Sequence, residues 1–188
     1  MSEGFLAPYG GYKWLRSYQK AEIVYDATVY FCGRFIDKRS RTHDQMIQAA
    51  RFGKQNIIEG SMAAATSKET EIKLTGVARA SLEELLADYR DFLRVHGFQE
   101  WPADHPYRRR LRELNRIPDA TYATFRKGIE NPDPGIAANV IIGLIRVATY
   151  LLDRQLRYLE KAFVSGGGLR ESMTRARLEE RRKGPRGG

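Results

Sequence analysis

The sequence has few of the residues that build covalent or metal-bound cores. Its 188 residues include one cysteine, Cys32, and three histidines, His43, His96 and His105. A lone cysteine excludes an internal disulfide framework and a zinc site built on cysteines. No histidine has a glutamate three residues before it, so the Glu-x-x-His pairs of di-iron helical bundles are missing from the sequence. We therefore expect no metal and no cofactor.

Long apolar runs and strand-like alternation are also missing. The longest uncharged run, residues 134–145, is shorter than the ~20 apolar residues that cross a bilayer. Residues 1–4 have neither the basic start nor the apolar stretch of a signal peptide. Sustained alternation of apolar and polar residues, the sign of a half-buried strand, does not occur. We expect a cytoplasmic protein without a membrane partner.

Patterns that support catalysis are scarce. The glycines at 166–168 lack the Lys-Ser/Thr of a phosphate-binding loop and follow a helical pattern rather than a strand. Cys32 lies in an apolar helical stretch, which is typical of a small core residue rather than of a nucleophile. Ser81 lies on an apolar helical stripe, where its hydroxyl is expected to bond to its own helix. We predict that the chain is not an enzyme.

Positive charge is abundant and unevenly placed. The chain has 32 Lys and Arg against 23 Asp and Glu, which gives a net charge of +9. Residues 104–127 and residues 166–188 each carry a net charge of +4, so the rest of the chain is nearly neutral. Such a distribution favours an anionic partner, although charge alone does not choose between nucleic acid, an acidic protein and a membrane surface.

Apolar residues spaced three and four apart predict four long helices. The first spans about residues 12–37, with Val29 on its apolar face. The second begins at Thr42, where Thr-His-Asp-Gln fits a capping box. Its inner face is rich in small residues, including Gly53 and Gly60, which let a neighbouring backbone approach closely.

The third and fourth helices carry clear start and stop signals. Ser67 is the predicted N-cap of the third helix, whose apolar stripe includes Val77, and Gly97 is its predicted C-terminal glycine. The fourth helix opens with Asp133 and a proline in its first turn, and the Ser-Gly-Gly-Gly at 165–168 breaks it.

The remaining segments are accessories to these helices. Residues 1–11 predict a flexible arm. The proline-punctuated segment 98–133 contains one predicted short helix at 107–116, and residues 169–183 are able to form a helix. The predicted fold is all-α: an antiparallel up-down four-helix bundle over residues 12–165, with a basic insertion at 98–133 between helices 3 and 4, and a basic C-terminal helical extension at 166–188.

One polar constellation interrupts the apolar pattern. Asn56 and Glu59 are three residues apart on the second helix, and Ser81 and Glu84 are three apart on the third. Residues at this spacing are neighbours on one helical face. If the helices pack antiparallel, the four side chains could form a structural polar cluster within or between subunits. Solvated surface groups explain the spacing equally well.

The two basic segments supply the candidate nucleic-acid-binding residues. Within the insertion these are Arg108, Arg109, Arg110, Arg112 and Arg116; within the extension they are Arg170, Arg175, Arg177, Arg181, Arg182 and Lys183. Contacts of such cations with phosphates supply most sequence-independent affinity for nucleic acid. Tyr107 and Trp101 lie beside the first group and could stack on unpaired bases. A merely solvated surface is the alternative for either segment alone.

A resemblance to a known family rests on four motifs in the second and third helices. In order, they are Gln-Met-Ile-Gln-Ala-Ala (45–50), Asn-Ile-Ile-Glu-Gly (56–60), Ser-Lys-Glu (67–69) and Ala-Arg-Ala-Ser-Leu-Glu-Glu-Leu (78–85). The chain resembles the four-helix-bundle family of bacterial rRNA intervening-sequence proteins, which also contains the accessory variability determinants of diversity-generating retroelements. The resemblance covers residues 12–97 and 134–163.

The resemblance implies homopentameric, barrel-like assemblies with basic surfaces. It also implies, for the retroelement members, binding to nucleic acid and to a reverse transcriptase. The insertion at 98–133 departs from the short members of the family. Residues 167–177, Gly-Gly-Leu-Arg-Glu-Ser-Met-Thr-Arg-Ala-Arg, resemble the C-terminal extension of a suffix-bearing subgroup.

These observations lead to two functional hypotheses. The first is a non-catalytic homo-oligomeric scaffold, pentameric by resemblance, that binds RNA or DNA and is accessory to a reverse transcriptase. The second is a protein-interaction adaptor or structural oligomer whose arginines meet an acidic protein partner. Attachment to a membrane surface is less favoured, because the C-terminal segment has no sizeable apolar face with Trp or Phe.

Overall fold

The computed structural model describes residues 11–166 and 169–182, and all regular structure in these two ranges is helical. The all-α class is therefore confirmed. After a 3-10 helix at Gly11–Trp14, the long helices of the first half are α1 (Arg16–Phe35), α2 (Arg41–Ala63) and α3 (Lys68–Val95). The second half contains α4 (Pro106–Arg116), α5 (Tyr122–Ile129), α6 (Pro134–Gly166) and α7 (Leu169–Arg182).

The four longest helices pack side by side in a cyclic order. Helix α2 packs against α1 and α3, and α6 packs against α3 and α1. Their shared core contains Phe31, Met46, Leu82, Tyr89 and Leu144, all completely buried. Each large apolar side chain removed from water in this way contributes ~1.5–3 kcal/mol. This core is continuous with the apolar residues of the insertion.

Helices α2 and α3 approach closely because α2 presents glycines to α3. Gly53 faces the Leu82 side chain, and a Cβ at Gly60 would lie 3.4 Å from the carbonyl oxygen of Glu71. Gly53 and Gly60 are both buried. The predicted small-residue inner face of the second helix is confirmed.

Several predicted helix ends are confirmed. Ser67 caps α3 by accepting a hydrogen bond from the Thr70 N–H at 3.1 Å. The Asp133 carboxylate caps α6 and accepts from the Gly135 N–H at 2.7 Å. Gly97 follows α3 with a φ of +74°, a conformation that glycine adopts without strain and that ends the helix.

The predicted start of the second helix was wrong by two residues. Ser40, not Thr42, is the N-cap of α2, and its hydroxyl accepts from the Thr42 N–H at 3.2 Å. Thr42 therefore lies inside the first turn, and the capping box predicted for it does not form.

The predicted apolar face of the first helix is also corrected. Val29 is 40% exposed, while Val24 and Phe31 on the adjacent face are completely buried. The three- and four-residue spacing that placed Val29 inside included tyrosines, and Tyr18 and Tyr25 are only partly buried. The Tyr18 hydroxyl donates to Glu22 on the same helix at 2.7 Å.

The insertion packs on the long helices. Helix α5 lies against α1 and α6, and α4 lies against α6. Leu111 of α4 and Phe125 and Ile129 of α5 are buried in the common core. Helix α4 agrees with the helix predicted at 107–116, whereas α5, a helix of only eight residues that follows a Thr121 capping box, was not predicted.

The segment between α3 and α4 is fastened to α6 by Asn139. This buried amide accepts the Trp101 N–H at 2.7 Å and donates to the carbonyl oxygen of Gln99 at 2.9 Å. Close to it, Phe98 packs on Gly135, where a Cβ would lie 2.6 Å from the ring. The entry to the insertion is thus fixed by both backbone hydrogen bonds and packing.

Some predicted segments lie outside the described residues. They are residues 1–10 of the predicted arm, the glycines at 167 and 168, and residues 183–188, which include the candidate site residue Lys183. The predicted extension forms α7 over the part that the structure describes.

Helix α6 is long and apolar enough to span a bilayer by length and composition alone. Its Pro134–Ser165 portion has a mean hydropathy of 1.8 over its most apolar window, and 67% of that window is buried inside the fold. Burial of this extent is the pattern of a central core helix.

The contact between Leu111 and Gly143 provides a test of how the insertion is held. A Cβ at Gly143 would overlap the end of the Leu111 side chain. We expect Gly143→Val to lower the free energy of unfolding by roughly 1–3 kcal/mol, because the branched side chain overfills this site. The matched control is Gly33→Val, at an exposed glycine of α1 with no neighbour within 4 Å. Chemical denaturation measures both, and equal midpoints would contradict the packing of α4 on α6.

Candidate nucleic-acid interface

The arginines of α4 project from a helix that is anchored on one side only. Leu111 and Asn115 face the core, while Arg109, Arg110 and Arg116 are exposed. The Asn115 amide donates to the Leu111 carbonyl oxygen at 2.9 Å, within the helix. The exposed side of α4 carries four arginines and one carboxylate: Arg109, Arg110, Arg112, Arg116 and Glu113.

Two of the α4 arginines donate hydrogen bonds to backbone carbonyl groups at the start of the insertion. Arg108 donates from Nη1 to the Trp101 carbonyl oxygen at 3.2 Å, and Arg112 donates from Nη2 to the Ala103 carbonyl oxygen at 3.1 Å. These bonds tie the start of the insertion to α4. They satisfy part of each guanidinium, and neither arginine forms an ion pair with a carboxylate of the described residues, although Glu100 lies close enough to attract Arg108.

Few of the candidate arginines are neutralised by the protein's own carboxylates. Of the candidate site residues whose side chains the structure describes, Arg110 alone forms an ion pair, with Glu113 at 2.9 Å on the exposed side of α4. An exposed pair of this kind contributes little and is weakened by salt. Arg109 and Arg116 have no carboxylate partner within the described ranges.

A further group of arginines surrounds Glu100, which lies just before α4. Its carboxylate accepts hydrogen bonds from Arg90 of α3, at 3.0 Å, and from Arg146 of α6. Burial lowers the pKa of the neighbouring Arg108, and the cations Arg146 and Arg112 lower it further. One carboxylate among these arginines leaves a local excess of positive charge. The sequence separates Arg90 and Arg146 by 56 positions, so no local pattern pointed to this group.

The arginines of α7 whose side chains the structure describes are exposed. Arg175, Arg177, Arg181 and Arg182 have no ion-pair partner within the described part of the chain. Arg170 also lies on α7, and its side chain is outside the described part. Met173 and Leu178, 41% and 52% exposed, are on the same helix.

The structure does not join the four residues of the predicted polar cluster by hydrogen bonds. Asn56 donates to the Phe52 carbonyl oxygen at 2.9 Å and Ser81 to the Val77 carbonyl oxygen at 3.0 Å, each within its own helix. Glu59 and Glu84 are exposed. Each polar group thus has a partner in its own helix or in water. This agrees with the interpretation of the four residues as solvated surface groups.

These four residues nevertheless lie on one outer surface, formed by α2 and α3. Asn56, Glu59 and Ser81 line one shallow groove, and Glu84 lines a second groove with residues of α2. Phe52 borders both grooves and is 45% exposed; Val77, predicted to be buried, is 42% exposed. We call this the α2–α3 face.

Aromatic rings gather at the N-terminal end of α4. The Trp101 ring stacks on His105 with centroids 4.8 Å apart and planes 5° apart, and Tyr107 lies 5.4 Å from Trp101. His105 also caps α4, accepting from the Tyr107 N–H at 3.3 Å. The two rings singled out in the sequence are therefore neighbours, beside the basic surface of α4.

A buried lysine lies beneath the insertion. Lys20 of α1 is 5% exposed, its ammonium has no hydrogen-bond partner among the described residues, and it lies 4.8 Å from the centroid of the Phe125 ring. Burial, and then the charge of Arg16, lower the pKa of Lys20 to about 8. The aromatic face compensates part of the lost hydration.

Of the two side chains considered as nucleophiles, Cys32 is remote from solvent and Ser81 bonds to its own helix. Cys32 is completely buried, which confirms its predicted place in the core, and burial raises the pKa of its thiol to about 12. Within residues 11–166 and 169–182, no group of three His, Cys, Asp or Glu side chains is arranged to hold a metal ion. The arrangement available to a partner is a set of exposed cations beside aromatic rings.

No protein-family model, curated protein sequence or solved structure matches this chain. The family resemblance therefore stays a prediction, and the functional conclusion depends on the chain's own residues.

The buried ammonium predicts how stability changes with pH. Because the pKa of Lys20 is about 8 in the folded chain and about 10.4 when unfolded, its charge opposes folding below pH 8. The contribution of Lys20 to stability should therefore rise as the pH increases from 8 to about 10, whereas the Cys32 thiol, whose pKa is raised, contributes in the opposite direction at alkaline pH. We expect Lys20→Met to stabilise the protein by up to about 3 kcal/mol at pH 7, and this gain should vanish by about pH 10.5.

Thermal denaturation across this pH range measures the effect. Lys73→Met, at an exposed position of α3, controls for the loss of one positive charge. A gain for Lys20→Met that is the same at pH 7 and pH 10.5 would contradict the assignment.

Proposed function

We propose that this protein is a non-catalytic, homo-oligomeric scaffold that binds RNA or DNA through the basic surfaces of its insertion and its C-terminal extension. The observation that carries the proposal is that the exposed arginines of α4 and α7 are, with the exception of Arg110, free of intramolecular carboxylates within the described residues. Arg108 and Arg112 also hydrogen-bond to backbone carbonyl groups of the insertion, whereas Arg109 and Arg116 form no such bond within the described ranges. Cations left in water are available to phosphates, whose binding releases counterions.

The proposed architecture is that of the resembled family. We infer that α1, α2, α3 and α6 form an antiparallel up-down four-helix bundle. Their cyclic packing supports this inference, as do the short connections between α1 and α2 and between α2 and α3. In this arrangement the insertion packs its apolar side into the core and presents its basic side to solvent, and α7 adds a second basic surface to a body that is otherwise nearly neutral.

We further propose that the α2–α3 face meets a second copy of the chain and that the assembly is a pentamer. Half-exposed apolar side chains bordered by amides are typical of a surface that is covered in an assembly. An oligomer repeats each basic surface, so weak contacts with one polyanion add through effective concentration. The scaffold would then present nucleic acid to an enzyme such as a reverse transcriptase in the cytoplasm.

A second candidate function is an adaptor for an acidic protein. The free arginines are equally able to pair with carboxylates. Competition distinguishes the two: generic RNA displaces a nucleic-acid partner and leaves a shape-specific protein partner bound. The aromatic rings beside the α4 arginines favour nucleic acid, since bases stack on them.

Salt dependence tests the nucleic-acid proposal. Replacing Arg175, Arg177, Arg181 and Arg182 with glutamine should weaken binding, and the slope of log K against log salt should become shallower by roughly 3 if each arginine contacts a phosphate. The control replaces Lys38 and Arg39, exposed between α1 and α2, with glutamine. Fluorescence anisotropy at several salt concentrations gives both slopes. Affinity that is independent of salt in the unmodified protein would refute the proposal.

Light scattering tests the assembly. We expect the protein to be an oligomer and Phe52→Asp to dissociate it, because the substitution places a charge in the proposed interface. Val29→Asp, at a comparably exposed apolar position of α1, serves as the control and should leave the mass unchanged. A monomer at micromolar concentration would show that the α2–α3 face has another role.

A further inference from the structure

A cleft of about 630 Å³ opens between α4, α5 and the first turns of α6. Its lining includes Leu111, Phe125 and Val140, which are buried, and its rim includes exposed Arg110 of α4 and Lys127 of α5. Sites of this size are typical of ligands with the dimensions of a nucleotide. The cleft thus joins an apolar interior to a positively charged edge.

Two aromatic rings complete the α4 side of the cleft. Trp101 and Tyr107 both line it, and Tyr107 is 58% exposed. The Tyr107 ring is held 5.5 Å from the His105 ring and 5.4 Å from Trp101, so it is positioned by its neighbours while much of its surface remains in water. A planar ligand could replace that water with a stacking contact.

We propose that this cleft seats an unpaired base of single-stranded nucleic acid, with the flanking phosphates on Lys127 and on Arg110, where a phosphate would compete with the exposed Glu113 carboxylate 2.9 Å away. The proposal rests on the proposed function and names its substrate class. The occupant must combine a planar, largely apolar group with an adjacent anion, and a nucleotide of an unpaired strand has this combination. A peptide of aspartate and glutamate has the anions without the ring, and a duplex keeps its bases stacked inside and presents phosphates first.

Intrinsic tryptophan fluorescence can measure binding in the cleft, because the chain has only two tryptophans, Trp14 and Trp101, and Trp101 lines the cleft. Trp14 is 86% exposed, so Trp14→Phe is expected to fold normally and to leave Trp101 as the reporter. At low ionic strength, titration with single-stranded DNA or RNA of one sequence should quench or shift its emission. Duplex DNA and an abasic strand of equal length, which has the phosphates without the bases, should leave it unchanged.

Affinity provides the second measurement. Tyr107→Ala should lower the affinity for single strands about fivefold or more, in line with the loss of one stacked base, and leave the affinity for duplex unchanged. The matched control is Tyr150→Ala, because Tyr150 is equally exposed at 56% but lies outside the cleft. Circular dichroism checks that each variant is folded. Whether the DNA or the RNA strand binds more tightly identifies which of the two the cleft prefers.

The outcomes separate this inference from the function on which it rests. If no nucleic acid binds at low salt, the proposed function fails and this inference fails with it. If single strand, duplex and abasic strand bind equally and Trp101 emission does not respond, the scaffold binds phosphates alone and the cleft proposal is overturned. If AMP quenches Trp101 as strongly as the strand at equal nucleotide concentration, or an acidic peptide does so, the occupant is not a strand.

Discussion

The burial of α6 is the constraint on which the rest of the structure depends. Between Ile136 and Ala148 this helix is apolar on nearly every side, and a helix of that kind must be covered all round. Helices α1 and α3 cover two sides, and α4 and α5 cover another. The insertion is therefore part of the hydrophobic core, and its basic residues occupy the surface that remains after Leu111, Phe125 and Ile129 have turned inward.

How far the sequence predicts this arrangement depends on whether a feature is local. Ser67, Gly97 and Asp133 act within one helical turn, so their roles were read from spacing alone. The exposure of Val29 depends on which neighbours surround α1, and periodicity fixes a face only to within about one residue position. Helix α5 was missed because eight residues between prolines give too short a pattern, although the uncharged run of α6 was a signal that something covers it.

In the candidate site, too, local features could be predicted from the sequence and contacts between distant residues could not. The exposed arginines of α4 and α7 are consecutive or nearly so, and the basic segments were recognised from charge alone. Arg90, Glu100 and Arg146 come from three separate parts of the chain, and the polar cluster required side chains of two helices to reach one another. Asn56 and Ser81 instead bond to carbonyl groups four residues back, a local option that competes with any contact between helices.

The anchoring of α4 has a consequence for the thermodynamics of recognition. Leu111 is seated against Gly143, and Asn139 holds the backbone at Gln99 and Trp101, so the wall of the proposed binding cleft that carries Tyr107 is anchored to the core by packing and hydrogen bonds. A binding loop that must first become ordered loses conformational entropy on association, and its affinity falls accordingly. A preorganised wall avoids most of that loss. Association of a ligand with the proposed cleft should then show a small entropic penalty. Its rate should be limited by diffusional encounter rather than by a conformational change of the protein.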